Sequence, residues 1–142
     1  MRVTGCLYGV IYYDRYMGPE REQIEPSIRI VSEPIAVGDL ANIADTQFGD
    51  LVKAVVDIEA GIMAIGGELH ADEEAALLEQ GSEQANLWGI NLYPGDYGTD
   101  GWLEYDSMIN LRPSQNNRSR GVDDPTHRQA ISAIVARLVV AS

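Results

Sequence analysis

The run Leu51-Val52-Lys53-Ala54-Val55-Val56-Asp57-Ile58-Glu59-Ala60-Gly61-Ile62-Met63-Ala64-Ile65 decides the fold class. Across Leu51–Glu59, Val52, Ala54, Val56 and Ile58 fall on one side, and Lys53, Asp57 and Glu59 on the other. That period of two is a strand with one apolar face. Ile62–Leu69 reads as a second strand, with Met63, Ile65 and Leu69 as its apolar set. Ala60-Gly61 between them predicts an antiparallel hairpin. A three-residue loop ending on Gly61 competes with the two-residue turn, because Ala60 tolerates positive φ poorly. The two loops leave the register open, and a one-residue slip changes which face carries Glu68.

Working outward, the short strand Ile28–Val31 and the turn at Glu33-Pro34 precede a helix over Val37–Phe48. There Leu40, Ile43, Ala44 and Phe48 recur at helical spacing, and Gly49 supplies a stop. On the other side, Asp72 is expected to cap a helix over Glu73–Gln80, anchored by Leu77 and Leu78 and ended by Gly81. Strands follow over Asn86–Tyr93 and Trp102–Leu111, joined by the connector Pro94–Gly101. Asp124 before Pro125 starts a last helix to about Val139 that buries Ile131, Ile134, Val135 and Leu138. The order β-α-β-β-α-β-β-α predicts one α+β domain over residues 27–142, with three helices packed on a mostly antiparallel sheet of about four to five strands. Residues 1–26 read as an extension: Leu7–Tyr13 has strand propensity, and Gly18-Pro19 with the charged Glu20–Glu25 forms a linker.

Composition bounds the function. A chain of 142 residues with 45% hydrophobic and 23% charged residues can build one real core. Its formal charge of −12 has the wrong sign for nucleic acid or an anionic membrane. Cys6 is the only cysteine, so no intrachain disulfide forms, and a cytoplasmic protein is expected. Val3-Thr4-Gly5-Cys6 lacks the charged start and apolar run of a lipoprotein signal. The apolar run Cys6–Tyr13 is too short to cross a bilayer.

Charge is also unevenly placed. From Glu33 to Asp106 the only Lys or Arg is Lys53; then Arg112, Arg118, Arg120 and Arg128 arrive together. Strand alternation over Trp102–Leu111 puts Arg112 on one face with Glu104 and Asp106. After Pro113 come Ser114, Gln115, Asn116, Asn117, Arg118, Ser119 and Arg120, a run of donors leading to a helix start. Guanidinium forks bind carboxylate or phosphate bidentately, so Arg112, Ser114, Gln115, Asn117, Arg118, Ser119 and Arg120 are the expected ligand-binding set for a small anion. The competing reading is a solvated loop that neutralises the protein's own acidic face.

A second candidate is Glu68-Leu69-His70-Ala71-Asp72. On a strand Glu68 and His70 share a face, and with Glu104 and Asp106 they form a candidate catalytic set for proton transfer. Glu68, His70 and Asp72 are also weak candidates for a divalent metal, which makes a metal-dependent hydrolase a further alternative. No cofactor is indicated: there is no zinc-type Cys/His pattern, phosphate-binding loop or dinucleotide fingerprint. Trp88, Tyr93, Tyr97 and Trp102 gather around the Pro94–Gly101 connector. They suggest a pocket wall or a contact of a non-enzymatic homo-oligomer or protein-interaction module.

The segments Gln47-Phe48-Gly49-Asp50, Lys53–Glu59, Gly66-Gly67-Glu68-Leu69-His70-Ala71-Asp72, Leu87-Trp88-Gly89-Ile90-Asn91, Asp106-Ser107-Met108-Ile109-Asn110, Arg112-Pro113-Ser114-Gln115 and Asn117-Arg118-Ser119-Arg120-Gly121 together resemble a small uncharacterised bacterial family, a domain of unknown function. The resemblance spans about Ile28 to Val139. It implies no reaction and assigns no catalytic residue. It implies a small residue or glycine in relatives where this chain has Asn116.

Overall fold

The computed structural model describes residues 27–141. The expected strand Leu7–Tyr13, the Gly18-Pro19 linker and Cys6 lie outside that span. The hairpin forms from β3 (Val52–Asp57) and β4 (Ile62–Ile65), paired antiparallel with Asp57 opposite Ile62. Its loop is longer than either expected turn and runs over Ile58-Glu59-Ala60-Gly61. The cause is Asp57, whose Oδ1 accepts from the Glu59 and Ala60 N–H groups at 2.9 Å each and closes a side-chain turn. Gly61 takes the φ of +72° that ends the loop.

The remaining strands are β1 (Arg29–Val31), β5 (Leu87–Leu92) and β6 (Leu103–Glu104). They complete a five-stranded sheet in the order β1-β4-β3-β5-β6, every neighbour antiparallel. A separate parallel pair joins β2 (Ile35–Ala36) to β7 (Val139–Val140) at the end of the last helix. The architecture is α+β, one small domain with helices α1 (Val37–Thr46), α2 (His70–Glu79) and α3 (Pro125–Leu138).

Alternation divides the helices between the two faces. Val52, Ala54 and Val56 of β3, Met63 and Ile65 of β4, and Trp88, Ile90 and Leu92 of β5 form one core. Leu40 and Ala44 of α1 and Ile131, Val135 and Leu138 of α3 complete it. On the opposite face Val55, Ala64 and Leu87 meet Leu77 of α2 in a smaller cluster. So α2 packs on that face, and its first residue, His70, ends against the middle of β5. The row Lys53, Asn91 and Glu104, opposite one another on β3, β5 and β6, lies on this second face.

Two expected elements are corrected. The strand over Trp102–Leu111 lasts only for Leu103–Glu104, after which Met108–Asn110 makes one 3-10 turn started by Ser107, whose Oγ accepts the Ile109 N–H. The Asn110 side chain replaces the missing strand. Its Oδ1 accepts from Gly89 N at 2.8 Å and its Nδ2 donates to Gly89 O at 2.9 Å, as a neighbouring peptide would. Alternation therefore stops before Asp106, and Arg112 does not share a face with Glu104 and Asp106.

The second correction concerns α2, which starts at His70 with Leu69 as its N-cap rather than with Asp72 capping Glu73. No side chain caps it there. The chain is held instead by the Glu73 carboxylate accepting from Gly67 N at 2.9 Å and by the His70 ring on the Ile90 carbonyl. The strand Ile62–Leu69 accordingly ends at Ile65, where Gly66 adopts a φ of +87°. No helix among the described residues is long and apolar enough to cross a membrane.

Candidate functional site

A cleft of about 380 Å³ opens on the second sheet face beyond the N-terminus of α2. Lys53 and Asn91 form its floor, Leu69, His70 and Ala71 one wall, and Asp106, Ser107, Met108, Ile109 and Arg120 the other. Phe48 and Leu51 close the end. Three exposed large apolar side chains, Phe48 (41% accessible), Leu69 (56%) and Met108 (62%), are gathered at this one cleft. Clefts that join apolar walls to a few convergent polar groups are the usual form of small-molecule sites.

The floor follows from strand register. Lys53 stands directly opposite Asn91, so their Cβ atoms are about 5 Å apart. The Lys53 ammonium lies 5.0 Å from the Phe48 ring centroid, a cation–π contact that steers it along the cleft. Asn91 donates from Nδ2 to Glu104 Oε1 at 2.9 Å and to the Asp106 carbonyl at 3.2 Å. Its Oδ1 is buried and accepts no hydrogen bond. Tyr93 adds a second donor to Glu104 Oε1 at 3.0 Å. Burial, followed by that contact with Glu104, pushes the Tyr93 phenol up to about 12.

His70 sits at the junction of helix and strand. Its Nε2 lies 2.8 Å from the Ile90 carbonyl, an atom that can only accept, so Nε2 carries the proton and Nδ1 has a bare lone pair. Burial holds the imidazole pKa below its ordinary value, and Lys53 works the same way. The Ile90 carbonyl, Asn91 and Asp106 oppose them without prevailing. At neutral pH the ring is an uncharged base. Glycine at position 89 makes the packing possible, since a Cβ there would lie 2.5 Å from Ser107 Cβ and 3.2 Å from His70 Cδ2. Ser107 and His70 thus converge on the space an absent side chain leaves.

Among the candidate catalytic residues, His70 and Asp106 line the cleft, and Glu104 stands behind Asn91 without lining it. Glu68 and Asp72 lie outside its walls, because helical geometry from His70 onward separates residues that a strand would align. Among the described residues, no group of three or more His, Cys, Asp or Glu side chains is placed to hold a metal ion.

The Arg-rich loop is placed differently from the expected clamp. Arg120 reaches the cleft wall, its Nε 2.8 Å from Asp106 Oδ1. Arg112 is only 9% accessible and turns inward, where burial acts against its charge. It donates to the carbonyls of Ile109 (2.9 Å), Gln84 (2.9 Å) and Leu87 and to Gln115 Oε1 (3.1 Å). Its guanidinium also stacks 4.3 Å from the Trp88 ring centre. Trp88 therefore belongs to this inner contact and to His127, while Tyr97 and Trp102 pack edge to face elsewhere.

Asn117 is likewise buried, donating to Asn110 O at 2.7 Å and Gly121 O at 2.8 Å and accepting from Asp123 N at 2.8 Å. Asp123 accepts from Ser119 Oγ and the Arg118 N–H, which together hold its carboxyl below the ordinary carboxylate range. Ser114, Gln115 and Arg118 are exposed and do not line the cleft. Asn116 has a φ of +62°, the left-handed region that favours glycine and that asparagine tolerates better than most residues.

Lys53, Asn91, Ser107 and Phe48 were not among the expected site residues. Two of them carry a signal in the sequence: Lys53 is the only Lys or Arg in a long acidic stretch, and Asn91 is a polar residue in the otherwise apolar run Leu87–Leu92. No curated protein and no solved structure gives a significant match to the chain. A family of proteins of unknown function, DUF5674, matches residues 29–138, and the chain belongs to that family.

Proposed function

We propose that the cleft between α2 and the Met108–Asn110 turn binds a small molecule through a carboxylate or phosphate group. The observation that carries this reading is the meeting of Lys53, Arg120, His70 and Asn91 in one cleft with three exposed apolar side chains at its walls. Lys53 is the cation available to a ligand, because Arg120 already pairs with Asp106. The N-terminus of α2 adds partial positive charge on the same side. His70, neutral with a bare Nδ1, is the group suited to accept a proton from a bound ligand. Cytoplasmic location belongs to the same proposal, supported by the single cysteine and the acidic composition.

Thermal unfolding in the presence of acetate, benzoate or inorganic phosphate tests it. A ligand at 100 times its dissociation constant stabilises the folded state by about 2.7 kcal/mol. Lys53→Met should abolish that gain without changing the unliganded midpoint appreciably. Equal stabilisation of wild type and variant would refute the reading.

A second reading rests on exposed Leu69 and Met108: the same apolar walls form a homo-oligomer contact. Light scattering over a concentration series, with Met108→Glu as the comparison, separates the two. A concentration-dependent mass that the variant loses favours association.

A further inference from the structure

We infer that the cleft takes up its anion together with a proton, and that His70 is the group that holds the proton. The inference rests on the cleft reading above and adds the regulation of that site by pH. Lys53 and His70 line one cleft of about 380 Å³, so an anion paired with the ammonium is a close neighbour of the imidazole. The charge of Lys53 already acts on the ring against its protonated form. An anion on Lys53 cancels that repulsion and adds an attraction of its own.

The wall behind His70 is built to receive the proton. In the neutral ring the single N–H is spent on the Ile90 carbonyl at 2.8 Å. Asn91 directs its amide hydrogens to Glu104 and the Asp106 carbonyl, so it meets the ring through Oδ1. That oxygen is sealed from solvent and accepts no hydrogen bond from the neutral ring. A buried acceptor without a donor costs free energy. The imidazolium has a proton on both nitrogens and recovers that cost, and the Asn91 contact favours the charged ring accordingly.

The other charges near the ring do not replace this coupling. Asp106 favours the imidazolium but already pairs with Arg120 at 2.8 Å. Glu104 stands behind Asn91 and accepts from it and from Tyr93. On α2 itself Asp72 and Glu73 lie in the first turn, and Glu73 is held on Gly67 N. Lys53 is therefore the charge at the ring that a bound anion changes.

Binding and protonation then strengthen one another. The bound form has the higher His70 midpoint. Affinity is flat above both midpoints, rises as pH falls between them, and is flat again below. Imidazole NMR of the full chain, with and without saturating benzoate, tests this; acetate and inorganic phosphate replace benzoate if it does not bind. The His70 midpoint should move upward on binding. His127, which packs on Trp88 outside the cleft lining, should stay in place. Affinity should rise roughly fivefold or more between the two midpoints. Calorimetry in buffers of different ionisation heat should read proton uptake in that window, and His70→Gln should abolish it. The wild-type titration stands by itself if that variant does not fold.

Binding with the His70 midpoint unmoved or lowered overturns the coupling and leaves the cleft reading intact. An equal rise at His127 makes the effect a general one of charge and also overturns it. Undiminished proton uptake by folded His70→Gln assigns the proton to another group, with the same result. If none of the three anions binds, the cleft reading itself falls, and this inference with it.

Discussion

Replacing Arg112 separates a structural cation from a ligand clamp. The guanidinium makes four hydrogen bonds, three of them to main-chain carbonyls, and stacks on Trp88. Arg112→Ala strands those carbonyls, and each buried acceptor left unpaired costs about 1–3 kcal/mol. Relief from desolvating one cation offsets part of that, so the net loss should be about 3 kcal/mol. At roughly 4 °C per kcal/mol for a domain of this size, the midpoint should fall by roughly 12 °C. Arg112→Lys should recover little, because an ammonium cannot span acceptors arranged for a planar fork. Urea unfolding at neutral pH gives both numbers. If Arg112→Ala stays within about 0.5 kcal/mol of wild type, the inward network contributes nothing and the guanidinium is free for a ligand after all.

Further expectations follow from the same contacts. In an imidazole NMR titration, His70 should show a midpoint below 6.5, with the proton on Nε2 in the neutral form. Because the folded pKa is lowered, the unfolded chain binds the extra proton first. The stability His70 contributes is therefore complete above about pH 6.5 and lost as pH falls through the folded pKa, a loss that His70→Gln should reduce. Tyr93 should resist ionisation until about pH 12 by ultraviolet titration, and Glu104→Gln should move it back toward 10.0. Gly89→Ala places a methyl group 2.5 Å from Ser107 Cβ and should destabilise by about 1–3 kcal/mol in thermal unfolding. Asn110→Ala removes both pairings of the Gly89 peptide and should cost about 2–4 kcal/mol by urea unfolding.

The sheet and its helices were legible because their signals are periodic. Val52, Ala54 and Val56 alternate with Lys53 and Asp57, and Leu40 and Ala44 recur at helical spacing; the structure buries both sets in one core. The site was legible only in part. His70, Asp106 and Arg120 were singled out by residue type, and all three line the cleft. Lys53 and Asn91 come from strands far apart in sequence, and only register puts them opposite one another.

The Arg112 placement failed for a local reason. A polar residue two positions along a strand shares a face with its neighbour, but Ser107 and Asn110 end the strand by bonding to backbone themselves. Side chains that imitate peptides leave no period to read. The same holds at Asp57, whose carboxylate lengthened the hairpin loop.

The central claim is that ligand binding belongs to the sheet-face cleft and not to the outer Arg loop. Amide and side-chain NMR shifts during a titration with benzoate test it most directly. The largest shifts should fall on Lys53, His70, Asn91, Ser107 and the Arg120 side chain, with Ser114 and Arg118 unmoved. Shifts centred on Ser114, Gln115 and Arg118, with His70 and Asn91 unchanged, would contradict it.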